Sequence, residues 1–265
     1  MGAIFEILTG RATNPAALTA LTMNTGDTLA VRAFGDNVNV YLENIWTQQA
    51  TAGFARVRSP RMHDNVQGIR VATPAALPLP LLPIELEQRL YQTDTLIAEI
   101  KGGGAEVDNM ALQVYYDGVG AGAAHLATWE QVKPLVKNVS GHQIDVAGPV
   151  TSGDWSAGTN LTNLNDQFHA DTYYAILGYQ TDAPVLAVAI KGPDTGNYRL
   201  GGPGAQQPIE TRDYFIECSR LSGLPHIPII QAQNKGATQV HVARITAAGT
   251  VNTTLILAEL TGSAG

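Results

Sequence analysis

Two stretches of this chain, about 145 residues apart, carry the same succession of landmarks. Leu77-Pro78, Ile97-Ala98-Glu99-Ile100, Gly104, Val107, Leu112 and Gly118 are followed later by Leu224-Pro225, Val242-Ala243-Arg244-Ile245, Gly249, Val251, Ile256 and Gly262. Ala98 to Ala243, Ile100 to Ile245 and Gly104 to Gly249 are each 145 apart; Val107 to Val251, Gly118 to Gly262 and Asp27-Thr28 to Asp171-Thr172 are each 144 apart. Leu77 to Leu224 is 147. A unit this long exceeds the roughly 20–50 residues of a solenoid repeat, so the pattern predicts two copies of one domain.

The 265 residues divide into halves near the usual domain size, each long enough to bury its own core. Strand signals dominate both. Short β-rich runs bounded by Gly, Pro, Asn or Asp fall at 4–8, 18–23, 28–34, 38–43, 54–58, 68–72, 95–100 and 110–116. A second series falls at 143–147, 173–178, 185–191, 212–218, 227–232, 238–245 and 253–260. Alternation in Val38-Asn39-Val40-Tyr41-Leu42-Glu43 and in Gln113-Val114-Tyr115-Tyr116 is the mark of an antiparallel strand with one buried face. The prolines at 74, 78, 80 and 83 suit an extended connection or an edge. Between the two series, 125–138 places Leu126, Trp129, Val132, Leu135 and Val136 near a 3.6 period, with Pro134 weakening the middle. The expected fold is all-β: two tandem eight-stranded antiparallel β-sandwiches of jelly-roll or immunoglobulin type, with a short helix between or beside them. The units span 1–124 and 142–265, joined by a helical linker at 125–141.

Charge narrows the function classes. Only 15% of residues are charged, against roughly a quarter in soluble domains, which suits a surface covered by neighbours. A net charge of −7 with no Lys/Arg cluster argues against sequence-specific nucleic-acid binding; Arg56, Arg58, Arg61 and Arg70 are too dispersed. The single cysteine, Cys218, excludes an internal disulfide and is expected as a small buried hydrophobe on a strand. No signal-like leader and no run of 18 apolar residues is present, so neither export by a visible signal nor membrane spanning is expected.

No catalytic constellation emerges, and the chain is expected not to be an enzyme. Nucleophile-elbow, phosphate-loop and zinc-pair motifs are missing, and Gly201-Gly202-Pro203-Gly204 lacks a strand-then-helix setting and reads as a turn. The six histidines share no ligand spacing, although His142 and His169 flank a loop holding Asp154 and Asp166. Asp166, Asp171, Asp182 and Asp194 with Asn163, Asn165 and Asn197 could hold calcium, but without ordered ligand spacing no cofactor is expected. Trp46, Trp129 and Trp155 suit a sugar-stacking surface less well than core or interface anchors.

A tandem of two eight-stranded sandwiches in a short acidic chain, without catalytic motif or disulfide, resembles the double jelly-roll major capsid proteins of tailless, membrane-containing icosahedral bacteriophages. The run from Tyr173-Tyr174-Ala175-Ile176-Leu177-Gly178-Tyr179 through Gly192-Pro193-Asp194-Thr195-Gly196-Asn197-Tyr198-Arg199 to Gly204 also looks like phage structural sequences. The resemblance implies a virion structural protein whose partners are itself, as a homotrimer making pseudo-hexagonal capsomers, and other virion proteins. Its inner face would meet membrane lipid or genome, and its location would be the capsid after synthesis in the host cytoplasm. On this reading the low-charge loops 149–167 and 192–208 carry the subunit interface, through Asp154, Trp155, Asn160, Asn163, Pro193, Asp194, Asn197, Tyr198 and Arg199. The termini 1–10 and 263–265 reach neighbours or line the inner surface. Other readings are a decoration, vertex or spike protein of a phage particle, and a carbohydrate-binding or carbohydrate-active sandwich with a groove of exposed Trp and paired carboxylates.

Overall fold

The computed structural model describes residues 2–24, 26–62, 64–73, 88–120, 122–149, 151, 153–163, 168–204, 211–245 and 249–264. The proline ladder at 74–83, Leu77-Pro78, Asn165 and Asp166 lie outside the described residues.

The chain is all-β, with four antiparallel sheets among the described residues. The first half contains β1 (Gly2–Thr13), β2 (Thr19–Ala20), β3 (Thr22–Met23), β4 (Asn39–Gln48), β5 (Gly53–Arg58), β6 (Ile69–Thr73), β7 (Gln88–Leu90), β8 (Ile97–Lys101) and β9 (Val107–Val119). The second contains β10 (Leu126–Ala127), α1 (Trp129–Val132), β11 (Val136–Ala147), β12 (Thr159–Asn160), β13 (Tyr173–Thr181), β14 (Val185–Lys191) and β15 (Leu200–Pro203). It ends with α2 (Tyr214–Ser222), β16 (Ile227–Gln231), β17 (Gln239–Arg244) and β18 (Thr250–Leu260).

Each half is a nested hairpin. If β3 and β10 are set aside as short additions, eight strands remain per half among the described residues, and the first pairs with the last, the second with the seventh, the third with the sixth, the fourth with the fifth. In the first half these pairs are β1 with β9, β2 with β8, β4 with β7 and β5 with β6. In the second they are β11 with β18, β12 with β17, β13 with β16 and β14 with β15. Further pairings of β9 with β4, β8 with β5, β18 with β13 and β17 with β14 join these into sheets. The sheet orders are therefore the same twice: β1-β9-β4-β7 and β2-β8-β5-β6, then β11-β18-β13-β16 and β12-β17-β14-β15.

The sequence landmarks fall on matching strands but not on matching faces. Ala98 packs in the main core, whereas Ala243 belongs to a separate cluster outside it. Val107 is 42% exposed and Val251 is fully buried. Side chains alternate along a strand, so a slip of one residue turns an inward position outward. Asp27 and Asp171 are not equivalent either: Asp171 precedes β13, while the segment after Asp27 is a loop with a single bridge, Ala30 to Thr95, outside the named strands. The duplication holds for strand order, not for residue register.

Five expected elements differ. The strand expected at 28–34 is a loop whose Ala30 bridges Thr95, and Gly201-Gly202-Pro203, expected as a turn, lie in β15 and pair with β14. The strand expected at 212–218 is the helix α2, because Tyr214, Phe215 and Cys218 recur at helical spacing and bury together. Gly223 closes it in the left-handed region at φ 70°, its N–H donating to Ser219 O. The helix expected over 125–138 is a single turn, started by the Thr128–Gln131 capping box and passing at Pro134 into a 3-10 turn. From Val136 the chain is already β11, so part of the expected linker is sheet. The strand expected at 18–23 is split: Thr19–Ala20 pairs with β8 and Thr22–Met23 with β1, so the segment crosses from one sheet to the other. One apolar core runs through both halves, from Ile4 and Leu42 to Ile229 and Leu255.

Candidate functional site

The joint between the halves concentrates the molecule's buried polar chemistry. Alternation turns Phe5, Ile7 and Thr9 of β1 to the side opposite Ile4 and Leu8, and register sets them beside Tyr115, Gln113 and Ala111 of β9. Trp46 of β4 lies next to Ala111. Against this face come Leu186, Ala187, Ala189 and Ala243 from β14 and β17, with Trp155, forming a second apolar cluster. The alanines allow close approach of the two sheets, and Trp46 Nε1 donates to Leu186 O at 2.8 Å.

At one end of this seam sits Asp27. Its carboxylate accepts from Thr9 N at 2.9 Å, Thr9 Oγ1 at 3.0 Å and Trp155 Nε1 at 2.8 Å. Arg199 Nη1 donates to the other oxygen at 2.7 Å, and its guanidinium lies 5.1 Å from the Trp155 ring centre. Burial pushes the Asp27 carboxyl above its usual range, while Arg199 and the Thr9 and Trp155 donors pull it back. Asn24 ties Thr9 to Gly153, donating to Thr9 Oγ1 at 2.8 Å and to Gly153 O. Beside Asp27 opens a cavity of about 270 Å³ lined by Glu6, Arg32, Lys191, Asn197, Tyr198 and Arg199. Glu6 accepts from Arg32 Nε at 2.9 Å and from the Tyr116 hydroxyl at 2.9 Å.

A second polar centre crosses the seam near α2. His226 Nε2 lies 3.0 and 3.2 Å from the two Glu43 oxygens, and Gln113 Nε2 donates to Glu43 at 2.8 Å. The Tyr214 hydroxyl donates to Gln113 Oε1 at 2.7 Å, and Tyr115 donates to Pro225 O at 3.1 Å. All of these side chains are buried. Burial, with the Glu43 charge adding to it, raises the Cys218 thiol well above its usual value, the opposite of an activated nucleophile.

Of the residues expected at a subunit interface, Trp155, Tyr198 and Arg199 are drawn together inside the chain. Tyr198 packs edge-on to Phe34, its ring 5.1 Å from the Arg32 guanidinium. Asp194 binds within the second half, accepting from Gln231 N at 3.0 Å and Asn234 Nδ2 at 2.9 Å. Asn160 of β12 pairs with Gln239 of β17, Asp154 caps its own turn by accepting from Trp155 N, and Asn163 ends a 3-10 turn. Pro193 and Asn197 are exposed. Of the oxygen-rich residues weighed for calcium, no group of three or more His, Cys, Asp or Glu side chains converges among the described residues. No helix among them is long and apolar enough to cross a membrane. Sequence reading missed Glu43, Gln113 and His226; the available signal was a charged or amide residue at a sheet position flanked by apolar neighbours.

No protein-family model matches this chain, and no curated protein matches it. Among solved structures, the PBSX exported protein XepA aligns over 94% of this chain and 88% of its own, with 10% identity and a TM-score of 0.21. The T=1 Penaeus vannamei nodavirus particle aligns over 99% of both chains, with 9% identity and a TM-score of 0.24. Likenesses this slight carry no argument about fold or function.

Proposed function

We propose that each half is a jelly roll and that the chain is a virion structural protein, the repeating unit of an icosahedral shell assembled from trimers. The observation that carries this reading is the nested pairing of eight strands, first with last through fourth with fifth, rolled into the orders 1-8-3-6 and 2-7-4-5 twice in one chain. That pairing is how a jelly roll is wound, and viral shells are among the uses of the architecture. The role is assembly rather than catalysis. A two-unit chain in a trimer supplies six similar wedges, which fit hexagonal packing. The buried polar seam supports this use, because wedges in a shell must keep a fixed mutual angle. The exposed Pro193 and Asn197, with Asp154 and Asn160, remain candidates for contact with neighbours in the virion.

Electron microscopy and mass measurement of the purified protein test the proposal. Trimers with a hexagonal outline, or particles, are the expected outcome. A compact monomer at every concentration overturns it.

A further inference from the structure

Within the chain, the outer face of β1-β9-β4 in the first half lies on the outer face of β14-β17 in the second. Since both halves carry the same two sheets, each owns one more face of the opposite kind. These are the outer faces of β2-β8-β5-β6 in the first half and of β11-β18-β13 in the second.

The two remaining faces differ in chemistry from the covered pair. The covered pair meets through an apolar patch, Ile7, Trp46 and Ala111 against Ala187, Ala189 and Ala243, with its charged groups buried and paired, as in Asp27 with Arg199. On the open first-half face, register places Arg56 beside Glu99 and Arg70, and Phe54 beside Lys101. Among the described residues, Arg56 and Arg58 are taken up by Glu99, at 2.7 and 3.1 Å, and by the carbonyls of Val66 and Asn65, which leaves Arg70 and Lys101 as the accessible cations of this face. Arg70 and Lys101 are exposed. On the open second-half face, one row reads Gln143, Thr254, Gln180, and Asp145 pairs with Asn252, whose backbone N–H donates to Asp182. Asp145 and Asp182 are exposed, and 141–147, 178–182 and 250–256 hold no lysine or arginine.

We propose that these two open faces bind each other between copies of the chain. The Arg70–Lys101 part of the β2-β8-β5-β6 face of one copy would dock on the Asp145–Asp182 end of the next copy's β11-β18-β13 face. The contact repeats, between chains, the pairing of sheets that already exists within one. It is head-to-tail, so it closes into a ring when the rotation permits and otherwise runs on as a filament. Being ionic and at exposed positions, it is reversible and salt-sensitive. The inference rests on the shell-protein reading and names the surfaces that reading leaves open.

The test is sedimentation velocity on the full chain at about 0.1 M and about 1 M salt, between which the Debye length falls from about 10 Å to about 3 Å. Three variants are compared: Arg70→Glu with Lys101→Glu, Asp145→Lys, and all three substitutions together. Thermal melting confirms that each is folded, as expected for exposed positions. Each of the first two is expected to weaken association about tenfold or more at low salt, and the combined swap to recover most of it. An oligomer indifferent to salt and to all three variants overturns this contact while leaving the shell-protein reading standing. A chain that stays monomeric at low salt and high concentration overturns both.

Discussion

Trp46 donates its indole N–H to the backbone carbonyl of Leu186, 140 residues later, at 2.8 Å, across the seam between the two halves. A buried hydrogen bond to a strand carbonyl on the far side ties the angle between the halves to one side chain.

Trp46→Phe keeps most of the apolar contact and removes the donor, while the Leu186 carbonyl still accepts from Gly204 N at 2.9 Å. The expected loss is about 0.5–1.5 kcal/mol in denaturant unfolding, the net worth of one hydrogen bond whose acceptor keeps another donor. Trp46→Ala, which also opens a cavity, should cost about 3–5 kcal/mol. A Trp46→Phe variant as stable as the wild type would show that the hydrogen bond contributes nothing beyond packing.

Glu43 and His226 form a buried pair across the same seam, with side chains 8% and 1% exposed. Removing one partner strands the other, so Glu43→Ala should lose about 3–5 kcal/mol, whereas Glu43→Leu combined with His226→Phe should lose less than either single change. Additive losses in the double-mutant cycle would refute coupling.

Two carboxyls should move acid stability in opposite directions. Burial raises Asp27 above its ordinary 3.8, so its contribution is complete below the unfolded value and declines as pH rises through the folded value. For Glu99, burial alone would raise the carboxyl, but Arg58 and Arg56 outweigh it and hold it below its ordinary 4.5. Its contribution is therefore present above the unfolded value and lost as pH falls through the folded one. In urea unfolding over roughly pH 2–6, Glu99→Gln should flatten the acid-side loss of stability and Asp27→Asn should steepen it. Parallel pH profiles for wild type and both variants would contradict these assignments.

Gly158 adopts φ 89°, and a Cβ there would lie 2.5 Å from His241, whose ring is buried and held to Ser156 O at 3.0 Å. Gly158→Ala should lower stability by about 1–3 kcal/mol through overpacking and backbone strain, visible as a reduced melting temperature.

Cys218 is fully buried and its thiol is raised well above the usual value, first by burial. It should resist thiol reagents in the native protein and react on unfolding, so labelling reports global opening. Rapid labelling under native conditions would count against this packing of α2.

Much of the strand inventory was legible because a strand's alternation lies within its own few residues. Asn39 to Glu43 and Gln113 to Tyr116 fall on β4 and β9, but Gln113 to Tyr116 are buried on both faces rather than on one, because the second half covers the outer side of β9. The run Tyr214-Phe215-Ile216 misled, since an apolar triplet suits strand or helix. Its helical state is fixed by contacts of Phe215 with Phe5 at 6.1 Å and Tyr179 at 5.9 Å, both remote in sequence. Trp155 and Arg199 stood out as candidates, but nothing local showed that both would close on Asp27.

By itself the sequence determined the all-β class, the presence of two strand series and the low-charge surface, because composition and period-two alternation are local properties. Only the tertiary structure decided that Ala98 faces the core while Ala243 faces the seam. It also decided that Trp155 and Arg199 meet Asp27 within the chain. Which face of a strand is covered, and by what, depends on register and on contacts between distant segments, and these are settled only when the nested hairpins roll up and the two halves close on each other.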